Sequence, residues 1–265
     1  MYKRNWKEIE PIIEDDGNSY ARYYFRRKDN LDREGGIKVT KYWEWVKYVT
    51  IPWEKKPLYK GQNLEKILFI LQGEGEIQSN QTIMKIKAHD TVYVPPETFY
   101  TLYSTLEQQP IIFMEYCVRA PPESKEIKVI GTSSPESGNK ILVERWTSKK
   151  PKTGHEGTCY SYSIFTREQM KYLLFASMMS VPKILGYHSH NSEAIYFIVS
   201  GKGKVKVAGE ETEVCEGDAI YIPPGMAHRC YNLLQDQPLN VFCQGIADPY
   251  DAKVTTLENL PDLPV

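Results

Sequence analysis

Short apolar runs alternate with turn residues along most of the chain. In the first half they are Lys66–Leu71, Thr91–Val94 and Ile111–Val118; in the second, Ala194–Val199, Ala219–Ile222 and Leu239–Cys243. Each spans four to eight residues rich in Ile, Val, Tyr and Phe, cut off by Gly, Pro, Asn or Asp. That is the pattern of strands in a sandwich or barrel rather than of helices. Gly73-Glu74-Gly75 and Gly201-Lys202-Gly203 offer the positive φ angles of tight hairpins. Pro95-Pro96 and Pro223-Pro224 end strands, because proline has no N–H for a ladder. Arg167–Leu174 is the one stretch that suggests a turn or two of helix, or the lead into a strand.

The two sets of runs are copies. At one constant shift, without a gap, Glu65 falls on Glu193, Gly73 on Gly201, Gly75 on Gly203, Asp90 on Asp218, Tyr93 on Tyr221 and Pro95-Pro96 on Pro223-Pro224. A duplicated all-β unit follows, with one sandwich or barrel per half. We place the division at residues 1–125 and 126–265. Residues 1–40 read as a polar arm with one or two strands, and residues 119–156 as a proline-marked crossing linker whose Lys140–Trp146 stretch could pair with a barrel. Residues 249–265 read as a trailing surface segment.

Composition narrows the classes. With 265 residues the chain can bury about 70% of its unfolded surface and needs no covalent or metal staple to fold. The net charge of −1 gives no broad electrostatic case for nucleic acid or an anionic membrane. No apolar run nears the ~20 residues of a membrane span, and no export signal is visible, so a cytoplasmic location is the default expectation. Five cysteines, an odd number without a close pair, argue against a disulfide framework and a cysteine zinc site. The arm is long enough to cover a strand edge of a neighbouring copy, which suggests a homodimer acting on a small-molecule substrate.

The chemistry concentrates in the second half. Three of the five histidines are His188, His190 and His228. His188 and His190, two apart, share one face of a strand. His228 follows the Pro223-Pro224-Gly225 turn, far enough beyond His190 for an antiparallel barrel to bring the chain back beside the first pair. Three imidazoles so placed suit a divalent first-row metal and leave coordination positions open. His89 and His155 stand alone and read as surface or turn residues.

The stretch Gly186-Tyr187-His188-Ser189-His190-Asn191-Ser192-Glu193, continuing to Gly201, resembles the first motif of the cupin superfamily, and Gly217 to Asn232 resembles the second. The resemblance implies two tandem cupin barrels (jelly rolls, or double-stranded β-helices), a bicupin, with one divalent metal held in the second barrel by His188, His190 and His228. Fe(II) is favoured, with Mn(II), Ni(II) or Zn(II) as alternatives. The family usually carries a fourth, carboxylate ligand seven residues before the glycine matching Gly201. Here that position is Ala194, and Glu193 lies one residue earlier, on the opposite face unless a bulge turns it inward. Glu65 holds the same place in the first repeat, where no metal motif exists, so shared packing or a shared salt bridge is the expected role of both glutamates. Tyr196 shares the face of Ala194 and is the candidate to hydrogen-bond a substrate oxygen. Cys230, on the face of His228, reads as packing. The shift between the repeats puts Lys60, Gln62 and Tyr100 at the positions of His188, His190 and His228, and Lys66 at that of Ala194, so the first barrel has lost its ligands.

The three-histidine set resembles the thiol and diketone dioxygenases among cupins. The alternatives are a Lewis-acid isomerase, lyase or aminohydrolase, similar to ureidoglycine aminohydrolase, or a barrel that only binds a small molecule.

Overall fold

The structure, a computed structural model, describes residues 1–29, 35–80, 82–119, 140–154, 157–246 and 256–258. His155, most of the linker and most of residues 249–265 lie outside the described residues. Among those described, 24 strands and a few 3-10 turns account for the regular structure. Arg167–Gln169 is one such turn, and it leads into a strand starting at Leu173.

Two large sheets and two small ones pair up into two barrels. The large sheet of the first barrel runs in the order β13 (Leu142–Arg145), β10 (Asp90–Val94), β7 (Leu64–Gln72), β12 (Ile111–Arg119), β5 (Trp43–Ile51), β3 (Ser19–Arg27), β2 (Ile12–Glu14), with β4 (Ile37–Thr40) beside β3. Its small sheet is β6 (Leu58–Tyr59), β11 (Tyr100–Ser104), β8 (Glu74–Ser79), β9 (Thr82–Lys87). The large sheet of the second barrel is β1 (Tyr2–Asn5), β21 (Asp218–Ile222), β18 (Glu193–Ser200), β23 (Leu239–Ile246), β16 (Leu173–Val181), β15 (Cys159–Phe165), β14 (Lys152–Gly154). Its small sheet is β20 (Glu210–Cys215), β19 (Lys202–Val207), β22 (His228–Asn232), β17 (Ile184–His190), β24 (Thr256–Glu258). The fold is therefore all-β, two tandem jelly rolls from an internal duplication.

Strand alternation builds the layers. Along β18, Ile195 and Phe197 enter the core between the two large sheets, while Ala194, Tyr196 and Ile198 line the inside of the second barrel. The shared core is aromatic, with Phe69 of one barrel stacked on Phe242 of the other at 4.3 Å between ring centroids. Each such ring taken from water contributes about 1.5–3 kcal/mol. Gly73 and Gly201 take the positive φ read from the sequence, 91° and 93°, but not in hairpins: β7 does not pair with β8 nor β18 with β19, and each glycine bends the chain from the large sheet to the small one. A Cβ at Gly201 would also stand 2.8 Å from the Pro238 carbonyl oxygen.

The arm is more ordered than its polarity suggests, holding four strands, and it packs on its own chain. Its first strand, β1, crosses to the second barrel and pairs with β21, while β13, from the linker, pairs with β10 of the first. Each half thus lends the other an edge strand. Asp218 accepts a hydrogen bond from Asn5 Nδ2 at 2.9 Å and Asp90 one from Arg145 Nε at 2.8 Å, at equivalent ends of the exchanged strands. The arm covers sheet edges within this chain, which removes the reason for expecting it to reach a second copy. Of the segment 249–265, the described residues Thr256–Glu258 form an edge strand against β17. Among the described residues, no helix is long and apolar enough to cross a membrane.

Candidate metal centre

Two neighbouring strands of the small sheet carry the histidines. In the antiparallel pairing of β17 and β22, His188 stands directly opposite His228, after a bulge between Leu185 and His188. The Pro223–Gly225 turn closes back on β17 through a hydrogen bond from Gly225 N–H to the His190 carbonyl at 2.7 Å. The rings of His188 and His228 lie 4.1 Å apart, those of His190 and His228 4.8 Å. The ligand nitrogens of all three fall within 4.8 Å of one another, and among the described residues this is the one such group of three or more His, Cys, Asp or Glu side chains.

Each ring is anchored through its Nδ1. His188 Nδ1 lies 2.9 Å from the Gly186 carbonyl, His190 Nδ1 2.9 Å from that of Ser192, and His228 Nδ1 2.8 Å from that of Met226. A carbonyl can only accept, so each Nδ1 is the donor to it, with the Ser192 hydroxyl also 2.8 Å from His190 Nδ1, and Nε2 is the nitrogen left for a metal. Burial pushes the His190 pKa down, which keeps that imidazole neutral, as a metal ligand must be. His188 and His228 are buried as well. Three oriented imidazoles fit a divalent first-row ion.

Glu193 stands apart from this group. Pairing of β18 with β23 is regular from Glu193 to Ile198, so no bulge turns the carboxylate inward. It accepts hydrogen bonds from the backbone N–H of Lys41 at 3.0 Å and of Tyr42 at 2.8 Å, in the other half of the chain. Burial pushes its pKa up to about 7 against these donors and the Tyr221 hydroxyl. Glu65 is its counterpart, accepting from the N–H groups of Lys171, Tyr172 and Leu173 and from Tyr93 Oη at 2.7 Å. The salt bridge that the sequence left open for the two glutamates is a set of backbone hydrogen bonds.

Tyr196 does border the histidines, its ring edge-on to His228 at 5.6 Å. Burial raises its pKa well above that of a free phenol, so it stays protonated. Cys230 is fully buried and burial raises its thiol pKa, as a packing residue requires.

In the first barrel the register departs from the simple shift. Tyr59, not Lys60, stands opposite Tyr100 in the pairing of β6 with β11, with the rings stacked at 4.7 Å. Two tyrosines thus occupy the place that His188 and His228 occupy in the second barrel. Behind them lies a buried charge relay absent from the sequence reading: Glu14 to Lys47 at 2.6 Å, Lys47 to Glu115 at 3.5 Å and Glu115 to Lys66 at 3.5 Å. Burial pushes the Glu115 carboxyl up, but the two lysines and the Trp45 indole outweigh it and hold the pKa at about 2. Burial pushes the Lys47 ammonium down, and Glu115 and its other neighbours reverse that.

Residues 177–244 match the cupin domain family. An uncharacterized protein of Methanocaldococcus jannaschii is 39% identical over 61 residues, which is 23% of this chain and 48% of that protein. The chain spans about half the length of the curated relatives it matches. AerE from Microcystis aeruginosa superposes with a TM-score of 0.64 at 16% identity, covering 91% of this chain and 97% of that one. A variant of Bacillus subtilis oxalate decarboxylase superposes with a TM-score of 0.63 at 14% identity, covering 97% and 79%. At such identities the likeness is one of fold, and it extends over both barrels. The second barrel carries the cupin domain match and the motif residues, and the chain as a whole has the two-barrel fold of a bicupin.

Proposed function

We propose that the chain is a metal-dependent enzyme acting on a small polar organic substrate in the second barrel, with Fe(II) on His188, His190 and His228 and dioxygenase-type chemistry. The observation that carries the metal is the convergence of three imidazoles whose ligand nitrogens lie within 4.8 Å of one another, each ring anchored through Nδ1 at a backbone carbonyl. Bound there, the ion supplies Lewis acidity and one-electron redox chemistry.

The chain's own residues set what can enter. Three neutral ligands leave the full double positive charge in place, which favours an anionic substrate. Ala194, fully buried on the barrel-facing side of β18, offers no ligand atom where the family's carboxylate would stand. Tyr196, held protonated, is placed to donate a hydrogen bond to a substrate oxygen rather than to act as a base. Leu185, Val205, Val207 and Ile222 belong to the apolar core of the same barrel.

The test is anaerobic purification, loading with Fe(II), and an oxygen-uptake screen against small keto, hydroxy and thiol acids. Uptake that is abolished in His190→Ala and slowed in Tyr196→Phe supports the reading. Turnover that needs no oxygen and proceeds with Mn(II), Ni(II) or Zn(II) would replace it with isomerase, lyase or hydrolase chemistry.

A further inference from the structure

The first barrel has a cavity of about 630 Å³ at its mouth, within the range of small-molecule sites. Lys66, Tyr59, Lys60 and Gln62 are among its walls. We propose that this cavity is a second, metal-free site, and that it binds a small organic carboxylate through Lys66 and Tyr59.

The donors have capacity to spare. Tyr59 is nine-tenths buried, and its hydroxyl has no hydrogen-bond partner although it lines the cavity. A buried hydroxyl left so is costly unless a ligand completes it. Lys66 offers three N–H donors. Its contacts are long, 3.5 Å to Glu115 and 3.5 Å to Tyr100 Oη, and Glu115 is shared with Lys47. Of the acids near the mouth, Glu14 is bound by Lys47 and Tyr23, Asp15 accepts from Ser19 Oγ, and Asp16 is exposed to solvent. Lys60, exposed at the mouth, forms no ion pair among the described residues. The buried Tyr59 hydroxyl and the loosely held Lys66 ammonium thus face the same cavity, and the group that completes both is an anionic acceptor.

The duplication sharpens the comparison. Lys66 pairs with Cys117 across β7 and β12, and Ala194, its counterpart in the second repeat, pairs with Gly245 across β18 and β23. Lys66 thus enters the first barrel where the second has an alanine beside its histidines. A fixed ammonium takes the place of a bound cation, and both halves come to attract an anion by different means.

The test is isothermal titration of the full chain with acetate and with succinate. A parallel titration of the His188→Ala/His190→Ala/His228→Ala variant removes any binding to a metal in the second barrel. We expect binding that persists in the triple-histidine variant, weakens about tenfold or more in Lys66→Met, and weakens about threefold to tenfold in Tyr59→Phe. Tyr59→Phe keeps the stacked ring, so it reports on the hydroxyl even if Lys66→Met fails to fold. Absence of binding by the wild type, or binding lost in the histidine variant but unchanged in Tyr59→Phe, would overturn the proposal. Failure of the oxygen-uptake screen leaves this result untouched.

Discussion

Glu65 and Glu193 reach across the contact between the barrels in opposite directions, each buried carboxylate capping the backbone N–H groups of a Lys-Tyr pair in the other half, Lys171-Tyr172 and Lys41-Tyr42. The reciprocity explains why a glutamate persists at this position in the barrel without a metal motif. It also makes both side chains part of the interface rather than of the metal centre.

Truncating either glutamate leaves at least two partly buried backbone N–H groups without their acceptor. Glu65→Ala and Glu193→Ala should each cost about 2–4 kcal/mol in urea unfolding. Metal content should be unchanged in both. A cost below about 0.5 kcal/mol would mean that the clamp contributes nothing to stability.

The pH dependence has a defined sign. Glu193 has a folded pKa of about 7, above its ordinary 4.5. Between those values the folded state holds a proton that the unfolded state has released, so stability falls as pH rises through this window and levels off above it. The loss is about 3 kcal/mol at most. Comparing urea midpoints at about pH 5 and about pH 8, the wild type should lose stability relative to Glu193→Gln, which has no proton to release. Parallel pH profiles would contradict this origin.

Much of the fold is legible in the sequence because two periodicities coincide. Alternating runs between paired glycines and prolines mark the strands, and the constant shift that carries Glu65 onto Glu193 and Asp90 onto Asp218 marks the duplication. The arm is harder to read because its strands are short and polar on one side. A signal for it exists: at a second, slightly longer shift Trp6 falls on Trp146, Pro11 on Pro151, Gly17 on Gly157, Tyr20 on Tyr160 and Phe25 on Phe165. The exchange of β1 and β13 between barrels is not legible, because local pattern does not say which sheet an edge strand joins. The histidines stand out by spacing alone. The relay of Glu14, Lys47, Glu115 and Lys66 does not, since its members come from four strands and only the tertiary register unites them.

Ala194→Glu should add a carboxylate beside the three imidazoles, since position 194 faces the barrel interior with Tyr196. Competition with a chelator should show tighter metal retention and altered activity. Unchanged retention in a folded variant would mean that position 194 does not reach the coordination space.

His188→Ala, His190→Ala and His228→Ala should each keep the wild-type far-ultraviolet circular dichroism spectrum and unfold cooperatively. The barrel core of Val181, Leu185, Ile198, Val205 and Ile220 is assembled without the histidines. Outright unfolding of all three would show a structural centre rather than a reactive one.

Metal stoichiometry bears most directly on the two-barrel account. Elemental analysis of the purified chain should give one equivalent of a divalent first-row metal, lost in His228→Ala and retained in Tyr100→Phe, its counterpart in the first barrel. Two equivalents, one of them lost on changing the first barrel, or full retention of metal in His228→Ala, would contradict a single centre built on His188, His190 and His228.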